Sequence, residues 1–516
     1  MPTNRLRCAA ACILLPLLAS LVACGGAGGG NSSTNTTATA TSTTPTTAAP
    51  TAAPTVNLAL SASKASVNSP VTLSWSSTDA TSCNSSGSWS GGQAARGSQS
   101  ITPAAGGQFS YTLACTGAGG SAAKTAVLTV PMPVLATSYE NKNDIALDDP
   151  KLPNLQDIPG VTLESGEQNL GQRGMAFADF LQEGAFSAIT ASTFYKNAFP
   201  GSNPLKWPDS PAKLYFLRKD ASGKWTDVTN QLIKTPSERT ICVSPGFIEI
   251  ADMNKDGRPD AVISCTGPDF TINGVFDDSS LQYAVLSQPD GSYRVVMLAV
   301  PSIYAHQVAL ADIDGDGNVD ILSVDTGRFR TPIVLWGNGD GTIRVDATRF
   351  PSDMSQKAIY GIRAIPINGK INVVVSGNPT GAQAGPPASN EYGTKVLQYI
   401  GGKFEVVKDL SAGIPKVSST GLTYALALDA IYKGGYYYFL RVNGDYTGSA
   451  IVKTDAATGA STLLTEVVRG NTSDTSGVLK LTSANNFVSQ MGNCGPNAIK
   501  LTDYFHYQCS FSIPLR

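Results

Sequence analysis

Charge and histidine are both scarce in this chain, and each scarcity narrows the functions that it can have. Only 15% of the 516 residues are charged, the formal net charge is −2, and the two histidines are His306 and His506. A near-neutral surface does not attract nucleic acid, so no nucleic-acid partner is predicted. The histidines are interpreted as surface or strand residues rather than as catalysts.

Common catalytic motifs and long helical patterns are lacking as well. The sequence contains no G-x-S-x-G elbow, no H-E-x-x-H motif and no phosphate-binding loop. Runs with the apolar period of a helix are rare, whereas 51 glycines and 31 prolines indicate many turns between short strands. The sequence therefore predicts an all-β protein and gives no direct sign of an enzyme.

The N-terminus predicts export and lipidation. Two arginines precede an apolar stretch that is too short to span a membrane and that ends in Leu-Val-Ala-Cys24. This ending resembles the bacterial lipobox, which implies a signal peptide over residues 1–23 and a lipid on Cys24. Glycine, rather than aspartate, follows the cysteine at position 25, which resembles the pattern of lipoproteins sorted to the outer membrane. The expected partner is therefore the lipid bilayer of that membrane. Residues 24–55 are small, polar and uncharged, which predicts a disordered tether.

Cysteine spacing predicts disulfide bonds. Of the nine cysteines, two would leave with the signal peptide and Cys24 would carry the lipid, so that six remain. An even number in an exported chain favours disulfides. Since the six fall into local couples, the predicted pairs are Cys83–Cys115, Cys242–Cys265 and Cys494–Cys509, although other pairings stay open. No couple has the spacing of a zinc site.

Residues 56–131 form a separate candidate domain. The segments VTLSW, YTLAC and AVLTV alternate apolar and small polar residues, as half-buried strands do. With a tryptophan and the Cys83–Cys115 couple, this stretch resembles a small bacterial immunoglobulin-like sandwich. Such a domain serves either as a spacer, which we favour, or in adhesion.

The remaining region, residues 135–516, consists of repeats. The segments FIEIADMNKDGRPDAVIS (247–264) and QVALADIDGDGNVDILSV (307–324) align directly, and weaker copies lie at 174–190, 359–377 and 423–441. A glycine turn inside a hairpin follows each of these copies. A repeat that contains two hairpins corresponds to one four-stranded sheet. The region is therefore predicted to form a six- or seven-bladed β-propeller.

Two loops of this region concentrate oxygen ligands. In the 312 loop (residues 312–320) we expect convergence of the side chains of Asp312, Asp314, Asp316 and Asp320 and the carbonyl of Asn318. In the 252 loop (residues 252–260) the equivalents are Asp252, Asn254, Asp256, Asp260 and the carbonyl of Arg258. Hard oxygen ligands at this spacing, with glycine at the sixth position for the sharp turn, predict two Ca²⁺ sites. The 312 loop has more carboxylates, and Lys255 lies beside the 252 site in sequence, so tighter binding is predicted at the 312 loop.

At these loops the chain resembles the FG-GAP/VCBS family of integrin-α-like propellers, whose blades carry D-x-[DN]-x-D-G-x-x-D. The resemblance implies that the side chains named above are calcium ligands. The 179 loop (residues 179–187) departs from the pattern, with Leu181 at the third position and Ser187 at the ninth, and we expect no metal there. The loops at 367–372 and 429–435 depart further.

The whole layout favours a binding protein. An anchor, a tether, a spacer and a propeller would present a broad face to a glycan or protein ligand. The aromatic clusters at 434–439 and 504–507 are candidate sugar platforms, although such residues are more often strand core. A polysaccharide lyase and a non-enzymatic envelope scaffold are the alternatives. A lyase would need a lysine, arginine or tyrosine base near the calcium, and the sequence singles out none.

Overall fold

The computed structural model describes residues 51–141, 155–163, 167–169, 175–194, 211–266, 271–272, 275–276, 281–298, 304–325, 332–355, 357–377, 392–411, 424–442, 448–468, 478–481, 486–490, 499–500, 507–508 and 513–514. The predicted signal peptide, Cys24, most of the tether, the Cys494–Cys509 pair and His506 lie outside these residues. Residues 52–516 belong to one compact unit. No helix in the described part of the chain has the length and apolar character to span a membrane.

The region predicted as a sandwich consists of two antiparallel sheets. Its strands are β1 (Thr55–Leu60), β2 (Val71–Thr78), β3 (Ser82–Gly87), β4 (Gly91–Gln93), β5 (Arg96–Ile101), β6 (Gly107–Gly117) and β7 (Gly120–Val130). The sheet orders are β1-β2-β5 and β4-β3-β6-β7. Alternating apolar residues pack between the sheets, among them Leu73, Leu113 and Leu128, which have no exposed surface.

The predicted disulfide of this sandwich is confirmed, but its position differs from that of immunoglobulin domains. Cys83 and Cys115 face each other on β3 and β6, with their Cα atoms 4.0 Å apart. These strands are neighbours in one sheet, whereas the disulfide of immunoglobulin domains joins two sheets. The structure therefore shows a two-sheet sandwich, and the immunoglobulin-like type remains a prediction.

The repeats form successive antiparallel sheets. Sheet A contains β8 (Glu167–Asn169), β9 (Met175–Ala178), β10 (Ser187–Phe194), β11 (Leu214–Lys219) and β12 (Trp225–Asp227). Sheet B contains β13 (Pro245–Ala251), β14 (Asp260–Cys265), β17 (Tyr283–Ser287) and β18 (Tyr293–Met297). Sheet C contains β19 (Val308–Ala311), β20 (Asp320–Ser323), β21 (Ile333–Gly337) and β22 (Ile343–Asp346).

Two further four-stranded sheets follow. Sheet D contains β23 (Ile359–Ile367), β24 (Lys370–Gly377), β25 (Thr394–Ile400) and β26 (Lys403–Asp409). Sheet E contains β27 (Leu426–Lys433), β28 (Tyr436–Val442), β29 (Gly448–Asp455) and β30 (Ser461–Val468). The order within sheets B to E follows the sequence, as in a meander of hairpins.

Short elements complete the chain. The remaining strands are β15 (Thr271–Ile272), β16 (Val275–Phe276), β31 (Val478–Leu481), β32 (Asn486–Gln490), β33 (Ile499–Lys500), β34 (Tyr507–Gln508) and β35 (Ile513–Pro514). Strands β31, β32 and β35 form one more sheet. The helical pieces among the described residues are one α-helical turn, α1 (Thr229–Leu232), and 3₁₀ turns at Leu155–Asp157, Pro236–Arg239 and Ser352–Met354.

The sheets pack in a propeller-like way. The strands β9, β13, β19, β23, β27 and β31 contact one another in that order, so each sheet meets the next through its first strand. The first strands of sheets A to E are nearly continuous apolar runs because most of their residues are buried, and every residue of β13 is buried. Apolar clusters fill the space between sheets A and B and between each later pair up to D and E. The second predicted disulfide, Cys242–Cys265, is confirmed and lies in the first cluster.

A charged network lies where the first strands converge. Arg363 of β23 contacts Asp429 of β27 with its Nε atom at 2.6 Å and Glu249 of β13 with its Nη1 atom at 3.1 Å. All three side chains are buried. Because sheet B is not a neighbour of sheet D, this network, hereafter the axis network, spans the centre of the arrangement.

The linker after the sandwich, at residues 138–141, lies over one end of the region where the first strands of the sheets converge. The Nδ2 atom of Asn141 donates to the Ile250 carbonyl in sheet B at 3.0 Å, and the Ser138 hydroxyl accepts from Leu310 N–H in sheet C at 3.1 Å. The hydroxyl of Tyr139 accepts from Tyr432 N–H in sheet E at 3.1 Å. These contacts lie near the carboxyl ends of the first strands, which is the side on which the acidic loops begin.

Candidate metal site

The acidic loops share one backbone design, which begins with the aspartate at the first position. Its carboxylate accepts the N–H of the glycine at the sixth position, from Gly184 to Asp179 at 2.8 Å, from Gly257 to Asp252 at 2.8 Å and from Gly317 to Asp312 at 2.9 Å. The glycines have positive φ angles of 68°, 77° and 82°. The fourth position also has positive φ in all three loops. Glycine is favoured at the sixth position because a side chain is strained in that conformation.

The aspartate at the ninth position is buried at the start of the second strand. Asp260 accepts from Met253 N–H and Ser287 N–H, both at 2.7 Å, and Asp320 accepts from Ile313 N–H and Gly337 N–H, both at 2.9 Å. Burial raises the pKa of Asp260 and of Asp320 to about 7, although these N–H bonds act in the opposite direction. A nearby cation would offset the cost of keeping such a carboxylate charged.

In the 312 loop three carboxylates converge. Oxygens of Asp312, Asp314 and Asp320 lie within 4.8 Å of one another. Asp316, which the sequence predicts as a fourth ligand, instead accepts from the backbone N–H and the Nδ2 atom of Asn318, each at 2.7 Å. The structure thus brings together three of the four predicted carboxylates, with oxygen donors of the type that Ca²⁺ prefers.

In the 252 loop the side chains are engaged with the protein. Asp256 accepts from the Ser287 hydroxyl at 2.7 Å and from Arg258 N–H at 2.9 Å. Asn254 donates from Nδ2 to the Ser287 carbonyl at 3.0 Å. The guanidinium of Arg258 donates to the Gly291 carbonyl at 3.0 Å. The residues predicted to converge around a second cation therefore contact strand β17 and its turn, and Ser287 is a partner that no sequence motif indicates.

The 179 loop keeps the backbone design with fewer carboxylates. The hydroxyl of Ser187 accepts from Phe180 N–H at 3.2 Å, which is the bond that Asp260 and Asp320 make in the other loops. Asp179 also accepts from Met132 N–H at 2.9 Å, and Gln108 Nε2 donates to the Glu183 carbonyl at 3.0 Å. This loop therefore contacts the sandwich and the linker.

Sheets D and E replace the acidic loop by short turns. Between β23 and β24 the chain turns through Asn368 and Gly369, and between β27 and β28 it turns through Gly434 and Gly435. Both residues of each turn have positive φ, as two-residue hairpins of type I′ require. Asp429, in the segment compared with the acidic loops, belongs to the axis network.

Two side chains from neighbouring sheets border the 312 loop. A Cβ atom placed on Gly317 would lie 3.7 Å from Lys255 Nζ, so this ammonium of the 252 loop lies beside the 312 loop. Tyr399 of sheet D lies near enough for the carboxylates of Asp314 and Asp320 to act on it. Burial raises the pKa of Tyr399, Arg349 lowers it, and the carboxylates of Asp314 and Asp320 raise it further. Sequence spacing gives no signal for either neighbour, because both belong to other repeats.

Comparisons with known proteins assign no family. No family model matches the chain, and no curated protein matches it. Among solved structures, an exotype rhamnogalacturonan lyase is 12% identical, with 78% of this chain and 82% of that chain covered and a TM-score of 0.29. A rhamnogalacturonan lyase of Bacillus licheniformis is 11% identical, with 84% and 72% covered and a TM-score of 0.33. An α-L-arabinofuranosidase of Clostridium thermocellum is 13% identical, with 58% and 92% covered and a TM-score of 0.25. At TM-scores this low we draw no functional conclusion from these likenesses.

Proposed function

We propose that this protein is a calcium-stabilised, six- or seven-bladed propeller of the FG-GAP/VCBS type that binds a glycan or protein ligand at the bacterial envelope. In this proposal a lipid on Cys24 anchors the chain in the outer membrane, and the sandwich serves as a spacer. The observation that carries the calcium proposal is the convergence of Asp312, Asp314 and Asp320.

The donor set favours Ca²⁺ over softer cations. Three carboxylates supply hard oxygens, and no nitrogen or sulfur ligand belongs to this group. Asp320 is 1% exposed and would be neutralised at the base of the site, whereas Asp314 is exposed and would close over the ion from the outside. The 252 loop would bind more weakly, because its carboxylates would first have to leave Ser287 and Arg258.

Thermal unfolding of the mature chain in Ca²⁺ and in EGTA tests the calcium proposal. An ion that binds only the folded state raises the midpoint, and the rise grows with Ca²⁺ concentration. Asp314→Asn should remove most of this rise with little change in EGTA, because Asp314 is exposed. Equal midpoints in Ca²⁺ and EGTA for the unsubstituted chain would contradict the proposal.

The end of the centre opposite the linker is the candidate ligand face. The His306 ring lies 5.4 Å from Tyr304 and is stacked on Tyr360 at 5.2 Å, and all three rings are partly exposed. Partly exposed aromatic faces stack on sugar rings. By contrast, Tyr437 and Tyr438 of the 434–439 cluster are buried strand residues and Tyr436 is partly exposed, which makes this cluster the weaker candidate platform. Glycan-array binding by the full chain and by Tyr360→Ala tests this face, and unchanged array binding by the variant would argue against it.

A polysaccharide lyase is the second candidate, and Lys255 is the observation that favours it. The amine of Lys255 lies beside Gly317 of the 312 loop, and once deprotonated it would be a base beside a loop whose cation would neutralise an acidic sugar. Release of unsaturated uronate from acidic polysaccharides in Ca²⁺, and its loss in Lys255→Met, would support this activity. If no acidic polysaccharide releases unsaturated uronate, the lyase proposal is contradicted and the proposal of a binding protein stands.

A further inference from the structure

A second arginine of this region is as deeply buried as Arg363, and it lies between sheets D and E. Arg441 is on β28 and has no exposed surface. Its Nη1 atom donates to the Ala425 carbonyl at 3.0 Å, and its Nη2 atom donates to the Thr394 hydroxyl at 3.2 Å. Both partners are neutral oxygens.

The guanidinium of Arg441 has no neutralising charge among the described residues. No carboxylate there lies within ion-pair distance of it, and its buried Nε–H has no partner. The remaining contact is with the Phe439 ring, whose centroid lies 4.6 Å from the guanidinium carbon. A cation–π contact supplies only part of what a buried charge loses when it leaves water.

Arg363 shows how the same fold treats a buried arginine that is neutralised. Its guanidinium meets two carboxylates, and they raise its pKa against the effect of burial. Burial alone acts on Arg441 and lowers its pKa to about 9, so the group remains a cation at neutral pH. One buried arginine is thus balanced by two carboxylates, and the other has no counter-charge among the residues that the structure describes.

We propose that Arg441 binds a small monovalent anion of halide size between sheets D and E. The free Nε–H supplies a charge-assisted donor. The Thr394 hydroxyl, which accepts from the guanidinium, is hydrogen-bonded to the Ser376 hydroxyl at 3.2 Å, and the one hydroxyl hydrogen that this bond leaves over offers a further donor. Full burial restricts the occupant to a small anion, and its one negative charge equals the charge of Arg441.

Thermal unfolding of the full mature chain at constant ionic strength provides the first test. In sodium chloride the midpoint should rise with chloride concentration, whereas sodium gluconate should give no rise, because gluconate is too large for a buried site. Calcium is held constant, so the result does not depend on the 312 loop. Equal midpoints in the two salts would overturn the proposal, as expected if a carboxylate outside the described residues neutralises Arg441.

Arg441→Met is the decisive variant, and Arg344→Met is its matched control. Arg344 is exposed and belongs to sheet C. We expect chloride dependence to vanish in Arg441→Met and to persist in Arg344→Met. Chloride-35 line broadening gives a second measurement, which applies to the unsubstituted chain even if Arg441→Met does not fold. Broadening that bromide displaces would support the site, and its absence, or equal chloride dependence in Arg441→Met, would refute it.

Discussion

Sheets B and C pass from the first to the second strand through eight residues of an acidic loop, whereas sheets D and E make the same connection in two residues. All four sheets have the same order of antiparallel strands and pack in the same way. The hairpin therefore does not need the acidic loop. Because extra carboxylates bring repulsion that the short turns avoid, their presence in sheets B and C points to a role in binding a cation.

Sheet A contains a loop with the same backbone conformation as the acidic loops but with fewer carboxylates. The 179 loop has the glycine turn and the first-position aspartate, but Ser187 makes the bond that a buried carboxylate makes elsewhere. The backbone design is thus compatible with a neutral ninth position. What distinguishes the 312 loop is the convergence of three carboxylates.

The largest expected effect falls on the axis network rather than on a loop. Arg363→Met would leave Glu249 and Asp429 buried without a counter-charge, which should lower the free energy of unfolding by about 3–5 kcal/mol. Denaturant unfolding should give the same loss in Ca²⁺ and in EGTA. Arg218→Met, which removes a partly exposed ion pair with Glu183, should cost less than about 1 kcal/mol. Similar losses for the two variants would mean that the axis network is not a major source of stability.

Asp320→Ala should produce the largest effect in the loops. It leaves the N–H groups of Ile313 and Gly337 without their buried acceptor, which should cost about 2–4 kcal/mol even in EGTA, and it should abolish calcium stabilisation at the 312 loop. Ser187→Ala is the matched change in the 179 loop and should cost about 1 kcal/mol with calcium stabilisation intact. Unfolding curves of both variants with and without Ca²⁺ measure these effects. An undiminished calcium shift in Asp320→Ala would remove Asp320 from the site.

The local parts of this architecture are readable from sequence because they depend on neighbours in the chain. The glycines at positive φ and the apolar alternation in the sandwich depend on residues a few positions apart. The two confirmed disulfides join cysteines within a few tens of positions. A single charge within an apolar first strand, as in Arg363, is also a visible signal of a buried ion pair. Such a signal gives no partner, since Glu249 lies 114 positions away on a non-adjacent sheet.

The ligand set of the 312 loop was predictable only in part for the same reason. Spacing identified the aspartates, but the choice among them depends on competition from nearby donors. Asn318 engages Asp316, and Ser287 engages Asp256 from another strand. Side-chain competition of this kind is fixed by tertiary packing and has no period in the sequence.

A pair of glycine substitutions compares the two turn types at equal backbone strain. Gly317 and Gly369 have φ angles of 82° and 75°, so alanine at either position should cost about 1–3 kcal/mol. Only Gly317→Ala should also weaken calcium binding, because it distorts the turn that brings Asp312 to its partners. Calorimetric Ca²⁺ titration of both variants measures this difference. Equal calcium affinity in the two variants would show that the turn geometry does not set the site.

The smallest expected effect tests whether the two acidic loops interact. Lys255 belongs to the 252 loop, but its ammonium lies beside Gly317, where its positive charge opposes a cation in the 312 loop. Lys255→Gln should therefore tighten Ca²⁺ binding there by about two- to five-fold, with stability changed by only a few tenths of a kcal/mol. The gain should shrink at high salt because the ammonium is exposed, and Lys370→Gln, at an exposed position of sheet D, should give no gain. Sequence position alone predicts the opposite assignment, with the lysine weakening the 252 site. Calorimetry of Lys255→Gln combined with Asp256→Asn or with Asp314→Asn distinguishes the two assignments. If the gain in Ca²⁺ affinity is lost with Asp314→Asn and kept with Asp256→Asn, Lys255 acts on the 312 loop. If the gain is lost with Asp256→Asn instead, Lys255 acts on the 252 loop and this prediction is wrong.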